Sequence, residues 1–200
     1  MTGFTKVAFY KITTDNLDSL PVYDKTPIKL YDGELTNNIG IEITSNEATR
    51  TRKADNIVSE DVAETGYSCV LTVYGVSKQA QADILGCEVD GNGNLIMVVN
   101  GVKQKFGMFF ETTDNDSNPV QVYLSKVTFG TLVPSAQTDE KGDPVSITLN
   151  LKGTLVKHEG KDVRGFMVFK GQTGFVVSGL PTEFYKPVVT SSASTEGTST

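Results

Sequence analysis

Several residue types that mark particular functions are scarce or missing in this 200-residue chain. It contains no tryptophan, one histidine and two cysteines. It has no apolar run that approaches the ~20 residues a membrane-spanning helix needs. A zinc site needs more ligands than His158, Cys69 and Cys87 supply, and two cysteines do not make a disulfide framework at this length. We therefore predict no zinc site, no disulfide-stapled fold and no membrane partner.

Sequence patterns for catalysis and nucleotide binding are also missing. The chain has no Gly-x-Ser-x-Gly nucleophile elbow and no Gly-x-x-x-x-Gly-Lys-Ser/Thr phosphate loop. The stretches 90–94 and 114–118 resemble the start of a calcium loop. Both lack the glycine and glutamate required at its sixth and twelfth positions, so we predict ordinary turns. A carboxylate pair from distant parts of the chain could still form a glycosidase site. We nevertheless predict a non-enzymatic protein without cofactors.

The charge distribution argues against tight binding of nucleic acid. The formal net charge is −6, whereas a protein that neutralises phosphates needs a patch of Lys and Arg. The densest basic stretch, 50–53, is short and is flanked by Glu47, Asp55 and Glu60. We interpret it as a solvated loop.

The N-terminal sequence lacks a basic start followed by an apolar core. We therefore expect no signal peptide. A chain made in a reducing compartment would keep Cys69 and Cys87 as free, buried thiols.

Alternating apolar and polar residues predict β-strands. Residues 35–43 and 145–152 alternate clearly, and the stretches 67–75, 120–129 and 164–169 are rich in β-branched and aromatic residues. We also predict a β-hairpin over 95–111 with its turn at Asn100–Gly101. One helix is predicted over about 77–86, because Ser77 suits the N-cap and Gly86 suits the C-terminal end.

Together these patterns predict a mainly β protein, a β-sandwich or barrel-like fold with one short flanking helix. An N-terminal arm over 1–20 precedes a domain over 21–187. Within or beside the arm, residues 7–10 could form a short strand, and residues 17–21 are typical of a turn or an extended segment. Residues 45–65 are polar and charged without an apolar stripe, so we predict a long functional or mobile loop there. The Ser/Thr-rich tail over 188–200 has almost nothing to bury and is predicted to be disordered.

Several stretches of the chain resemble a known family. These are 64–75 followed by a short helix ending at Leu85–Gly86, the run 105–112, the run 122–127, and a short N-terminal arm before 28–30. In their order and spacing they are similar to the major tail proteins of long, non-contractile-tailed phages of Gram-positive bacteria. The resemblance covers roughly residues 5–187. No single motif is diagnostic.

This resemblance implies a tail-tube β-sandwich whose subunits form hexameric rings, and the rings would stack into a tube. The tube would be assembled in the host bacterial cytoplasm and would belong to the virion tail. Its partners would be other copies of the chain and the tape-measure, tail-tip and tail-terminator proteins. Phage DNA would pass through the tube without specific binding, as a neutral to acidic lumen would allow.

Two sets of residues follow from this implied assembly. The polar face of the alternating strands would line the lumen, with candidates Gly40, Glu42, Thr44, Ser146, Thr148 and Asn150. The loop over 45–65 would contact neighbouring subunits, with candidates Glu47, Arg50, Arg52, Asp55, Ile57, Val58 and Glu60.

Two other functions remain open from the sequence. A β-sandwich that recognises carbohydrate or a host receptor would need an exposed aromatic patch, for which Tyr10, Tyr23, Tyr31 and Tyr185 are available. A tube subunit of a bacterial secretion apparatus would share the ring architecture.

Overall fold

The computed structural model describes residues 6–30, 38–54, 57–73, 76–96, 103–130 and 147–187. Within these ranges the chain is mainly β with one short helix, which confirms the predicted fold class. In chain order the elements are β1 Lys6–Thr14, β2 Val22–Tyr23, β3 Ile28–Lys29, β4 Asn38–Ala54, β5 Ile57–Val73, α1 Lys78–Leu85, β6 Glu88–Val89, β7 Leu95–Ile96, β8 Lys105–Thr113, β9 Pro119–Phe129, β10 Ile147–Gly153, β11 Val156–His158, β12 Lys161–Val163 and β13 Gly165–Phe169.

Nine of these strands form one antiparallel sheet that bends around a core. Strands β2, β1, β8, β9, β10, β5 and β4 follow one another across it, with β3 beside β1 and β13 beside β9. One cluster of buried apolar side chains contains residues of β1 and β8 as well as residues of β10 and β5. Because these strands lie at opposite ends of the sheet, the sheet must fold over to enclose them. This is the sandwich-like architecture that the alternating strands predicted.

The predicted helix is confirmed with its caps. The Ser77 side chain accepts a hydrogen bond from the backbone N–H of Ala80 at 3.2 Å, and Gly86 ends the helix in the left-handed conformation at φ 70°. Ala80 and Ile84, one turn apart, are buried in the main cluster. The helix therefore covers an edge of the core next to Leu30, whose carbonyl oxygen accepts from the Ser77 N–H at 2.8 Å.

A second cluster covers the opposite face of β1, β8 and β9. The C-terminal segment 175–185 lies over it, and Phe184 packs among Tyr10, Tyr23 and Tyr123 at ring-centroid distances of 4.0 to 5.6 Å. The fully buried Gln121 holds this segment, because its amide donates to the carbonyl oxygen of Val176 at 2.7 Å and accepts from the Val176 N–H at 3.0 Å. The central strands are thus buried on both faces.

The predicted N-terminal arm over 1–20 is wrong for residues 6–14. These residues form β1, which pairs with β8 from Lys6 to Lys11 and carries fully buried Val7, Ala8, Phe9 and Tyr10. A strand that is buried on both faces has no polar side, so it shows no alternation in the sequence. Residues 17–19 bend as the turn expected there. The predicted tail over 188–200 lies outside the described residues.

The predicted loop over 45–65 is also wrong wherever the structure describes it. Its residues belong to β4 and β5, which pair in antiparallel register from Asn38 opposite Val73 to Ala54 opposite Ile57. Beyond Tyr67, no third strand pairs with this hairpin among the described residues. The residues of this hairpin lack the regular apolar alternation by which a strand is recognised, so the sequence pattern resembled a loop.

The predicted hairpin over 95–111 is wrong in its pairing for the residues that the structure describes. Strand β7 pairs with β6, while β8 pairs with β1 on one edge and β9 on the other. The Asn100–Gly101 turn lies outside the described residues.

The two calcium-loop look-alikes are ordinary turns, as predicted. In each, the first aspartate accepts backbone N–H bonds from residues two and four positions later: Asp90 from Asn92 and Asn94, and Asp114 from Asp116 and Asn118. Aspartates used in this way stabilise the turn itself. No described helix is long and apolar enough to cross a bilayer.

We predict that Gly153 is required for the packing of β10 against β5. A Cβ at this position would lie 2.1 Å from Cε2 of the fully buried Tyr67 ring, which has no room to move. Replacement Gly153→Ala should lower the free energy of unfolding by about 1–3 kcal/mol, measured by urea denaturation. Gly40→Ala is the matched control, because a Cβ on that strand residue meets nothing within 4 Å. Equal stability of the two variants would contradict this packing.

Candidate functional site: a polar sheet face and a projecting hairpin

One face of β4, β5 and β10 is polar and open to solvent. The register places three rows of residues across these strands, and directly opposed residues in an antiparallel pair share a face. We call this surface the polar face. Its described members are Gly40, Thr72 and Thr148 in the first row, Glu42, Val70 and Asn150 in the second, and Thr44, Ser68 and Lys152 in the third.

The structure brings together five of the six residues that were predicted for a lumen. Glu42, Thr44, Thr148 and Asn150 are exposed and Gly40 is partly exposed, all on the polar face. Ser146 lies outside the described residues. Their common face confirms the predicted alternation. That the face lines a lumen remains a prediction.

The residues between these rows point into the main core. Ile43 lies opposite Cys69, which lies opposite Leu151, and both Cys69 and Leu151 are buried. Burial raises the pKa of the Cys69 thiol to about 12. The polar face is thus the outer side of a layer whose inner side is fully apolar.

The polar face carries no net charge among its described members. Glu42 contributes one negative charge and Lys152 one positive charge, and the other seven side chains are uncharged at neutral pH. An uncharged surface offers no attraction to a phosphate backbone. Such a face could lie beside a nucleic acid without holding it.

The second feature is the length of the β4–β5 hairpin. Each strand has 17 residues, whereas β10 supports β5 only between Tyr67 and Val73. Residues 47–54 and 57–64 continue as a two-stranded ribbon of about 26 Å, at roughly 3.3 Å per residue. A two-stranded hairpin is at best marginally stable by itself in water. Contact with another surface would therefore stabilise this projecting part of the hairpin.

A β-bulge marks the point where the hairpin leaves the sheet. Asn46 pairs with Gly66 and Glu47 with Glu64, so Thr65 is the extra residue on β5. The Thr65 hydroxyl donates to the carbonyl oxygen of Asn46 at 3.1 Å. The bulge is therefore held by a side chain of its own extra residue.

Arg164, the residue before β13, contacts both strands of the hairpin at this bulge. Its Nη2 donates to Oε2 of Glu64 at 2.7 Å and to Oγ of Ser45 at 2.8 Å. Ser45 lies on β4 on the sheet side of the bulge, and Glu64 lies on β5 on the hairpin side. One guanidinium nitrogen thus connects both strands across the bulge.

The predicted subunit-contact residues fall on the projecting hairpin rather than on a loop. Glu47 is exposed at its base. Asp55 lies outside the described residues. The remaining candidates, Arg50, Arg52, Ile57, Val58 and Glu60, lie on the paired backbone of β4 and β5. Their role in subunit contact remains a prediction.

Sequence reasoning missed the residues at the hairpin base and half of the polar face. Ser68, Val70 and Thr72 alternate with buried Cys69 and Leu71, so the strand pattern over 67–75 could have identified them. Arg164 could not be found in this way. Its partners Ser45 and Glu64 are 119 and 100 residues away in sequence, and no local pattern reports such a contact.

The aromatic residues considered for a ligand-binding surface are not gathered at the surface. Tyr10 and Tyr23 are buried in the second cluster, and Tyr185 is partly buried beside it. Tyr31 lies outside the described residues.

The described ranges contain no group of three or more His, Cys, Asp or Glu residues that could hold a metal ion. No protein-family model and no curated protein sequence matches the chain.

Thiol labelling can test which side of β5 and β10 faces solvent. In a Cys87→Ser background, a cysteine introduced by Asn150→Cys should react at pH 8 at the rate of an open thiol. Cys69 in the same background should stay unreacted until the protein unfolds, because the nucleophilic thiolate is scarce when burial holds the pKa near 12. Comparable rates at the two sites, followed by absorbance of the released reagent, would contradict the assigned faces.

Proposed function

We propose that this chain is a non-enzymatic structural subunit that polymerises as stacked, hexameric rings into the tail tube of a long, non-contractile-tailed phage. The projecting β4–β5 hairpin is the observation that carries this proposal. Among the described residues, no third strand pairs with its outer part. A neighbouring copy would supply the missing surface.

The polar face supports the same proposal. It combines Ser, Thr and Asn side chains with one carboxylate and one ammonium group. Duplex DNA carries one charge for about every 1.7 Å of its axis, so a basic wall would hold it and an uncharged wall would let it slide. In a ring, this face would be the wall of the conduit for DNA ejection into the host.

The sequence resemblance supplies the remaining parts of the proposal. It implies the hexameric ring, the virion location, assembly in the bacterial cytoplasm, and contacts with tape-measure, tail-tip and tail-terminator proteins. A tube subunit of a bacterial secretion apparatus would use the same hairpin and the same polar face. The genes that neighbour this one would separate these two functions.

A module that binds carbohydrate or a host receptor is less well supported. Such a surface needs exposed aromatic rings, and the described structure uses Tyr10 and Tyr23 in its second core instead. No observation on the described residues favours this function over a tube subunit.

Shortening the hairpin tests the proposed role directly. Residues 49–62 would be replaced by Asn-Gly, which joins the opposed residues Ala48 and Ala63 through a two-residue turn. The variant should keep an unfolding transition close to that of the original chain, because the pairing of β5 with β10 from Tyr67 to Val73 lies outside this segment. It should fail to form large assemblies when both proteins are concentrated and compared by sedimentation velocity.

Glu159→Asn provides the matched control for this deletion. It changes the turn of another exposed hairpin, where Glu159 and Gly160 both have positive φ, a conformation that Asn-Gly favours. This variant should assemble as the original chain does. Assembly of the shortened variant to the same size would show that the hairpin is not a contact element.

A further inference from the structure

We propose that Arg164 is a positioning residue that fixes the direction of the projecting hairpin relative to the sheet. Its importance for assembly rests on the proposed tube function, whereas its effect on the hairpin does not. The inference starts from the juxtaposition at the bulge, where one guanidinium nitrogen bonds to both Ser45 and Glu64.

Arg164 is suited to this role because its backbone is anchored in the core. Its carbonyl oxygen accepts from the N–H of Ser125 on β9 at 2.9 Å. The next residue, Gly165, packs so closely on β9 that a Cβ there would lie 1.9 Å from the carbonyl oxygen of Tyr123. The guanidinium group therefore extends from a fixed point toward the hairpin.

The hairpin needs such a contact because its base is a bulge. A bulge bends the strand and increases its twist, and the local ladder is interrupted there. No third strand restrains the ribbon beyond it among the described residues. A change of about 10° at the bulge would move the end of the ribbon by roughly 5 Å, given about 3.3 Å per residue over residues 47–54.

The Arg164–Glu64 contact should contribute little to the free energy of unfolding. Its loss can therefore change the direction of the hairpin while the protein stays folded. The Arg164 and Glu64 side chains are 39% and 27% exposed, and ion pairs at such exposure contribute little to the free energy of unfolding. The Glu64 carboxylate meets Arg164 through Oε2, while its buried Oε1 has no hydrogen-bond partner in the structure. Loss of the guanidinium would therefore leave the Glu64 carboxylate without this hydrogen bond, and β5 would lose its contact with Arg164.

Distances between two spin labels in the full chain test this inference. The labels would be attached after Ala54→Cys at the far end of β4 and Lys11→Cys on the exposed side of β1, in a Cys87→Ser background. Dilute protein would be measured by double electron–electron resonance, so that each molecule reports its own hairpin. The original Arg164 should give one narrow distance distribution. Both Arg164→Ala and Glu64→Met should broaden it and shift its mean.

Lys157→Ala is the matched control, because it removes an ion pair of similar exposure, with Asp162, that does not touch the hairpin. It should leave the distribution unchanged. Glu64→Met retains about the length of the side chain and removes the oxygen that accepts from Arg164, so it decides the question if Arg164→Ala fails to fold. An unchanged distribution in folded Glu64→Met would overturn the inference. Absence of large assemblies from the original chain would instead count against the tube, and would leave the label distances valid.

Discussion

The β4–β5 hairpin is longer than the part of the sheet that supports it, and the proposed function of the molecule depends on this difference in length. Between Tyr67 and Val73, β5 has β10 as a neighbour and an apolar core on one side. Beyond the bulge, both strands keep their mutual hydrogen bonds and have no further strand beside them in the described structure. Backbone pairing alone gives marginal stability to such a ribbon. The same strands thus serve as part of a core at one end and as a projecting element at the other.

The central strands provide the rigid support for this projection. Because β1, β8 and β9 are covered on both faces, any displacement of them would disturb two clusters at once. Gln121 ties the C-terminal segment to this centre through both backbone groups of Val176. The carbonyl oxygen of Arg164 is bonded to the same strand through Ser125. Arg164 therefore connects the hairpin to the most buried part of the fold.

The sequence was most informative where one strand face is buried and the other is wet. The helix with its caps at Ser77 and Gly86 and the alternation over 147–152 follow from local chemistry, and the structure confirms both. Strand β1 was indicated by the sequence only as a possible short strand over 7–10, because two cores remove the polar face on which alternation depends. The outer hairpin escaped detection because its sequence has no apolar stripe, and its pairing with a distant part of the same polar stretch is not visible in a local pattern.

The residues of the candidate site also differ in whether a local sequence pattern predicts them. The polar face could be predicted, because Glu42 alternates with partly buried and Asn150 with buried apolar neighbours within their own strands. Glu42 and Asn150 lie on either side of Val70 in one row of the sheet. Predicting this arrangement requires the strand order, which a single sequence does not provide. The contact of Arg164 with Ser45 and Glu64 depends on the register of distant strands and on a bulge. Such contacts arise from topology rather than from local pattern.

Electron microscopy of the purified full-length chain, concentrated and aged for days, tests the central claim most directly. A tube subunit should give hollow tubes of uniform width, or stacked rings with a central hole. Discrete particles without rings or tubes, at every concentration and age, would contradict the claim that this chain builds a tube.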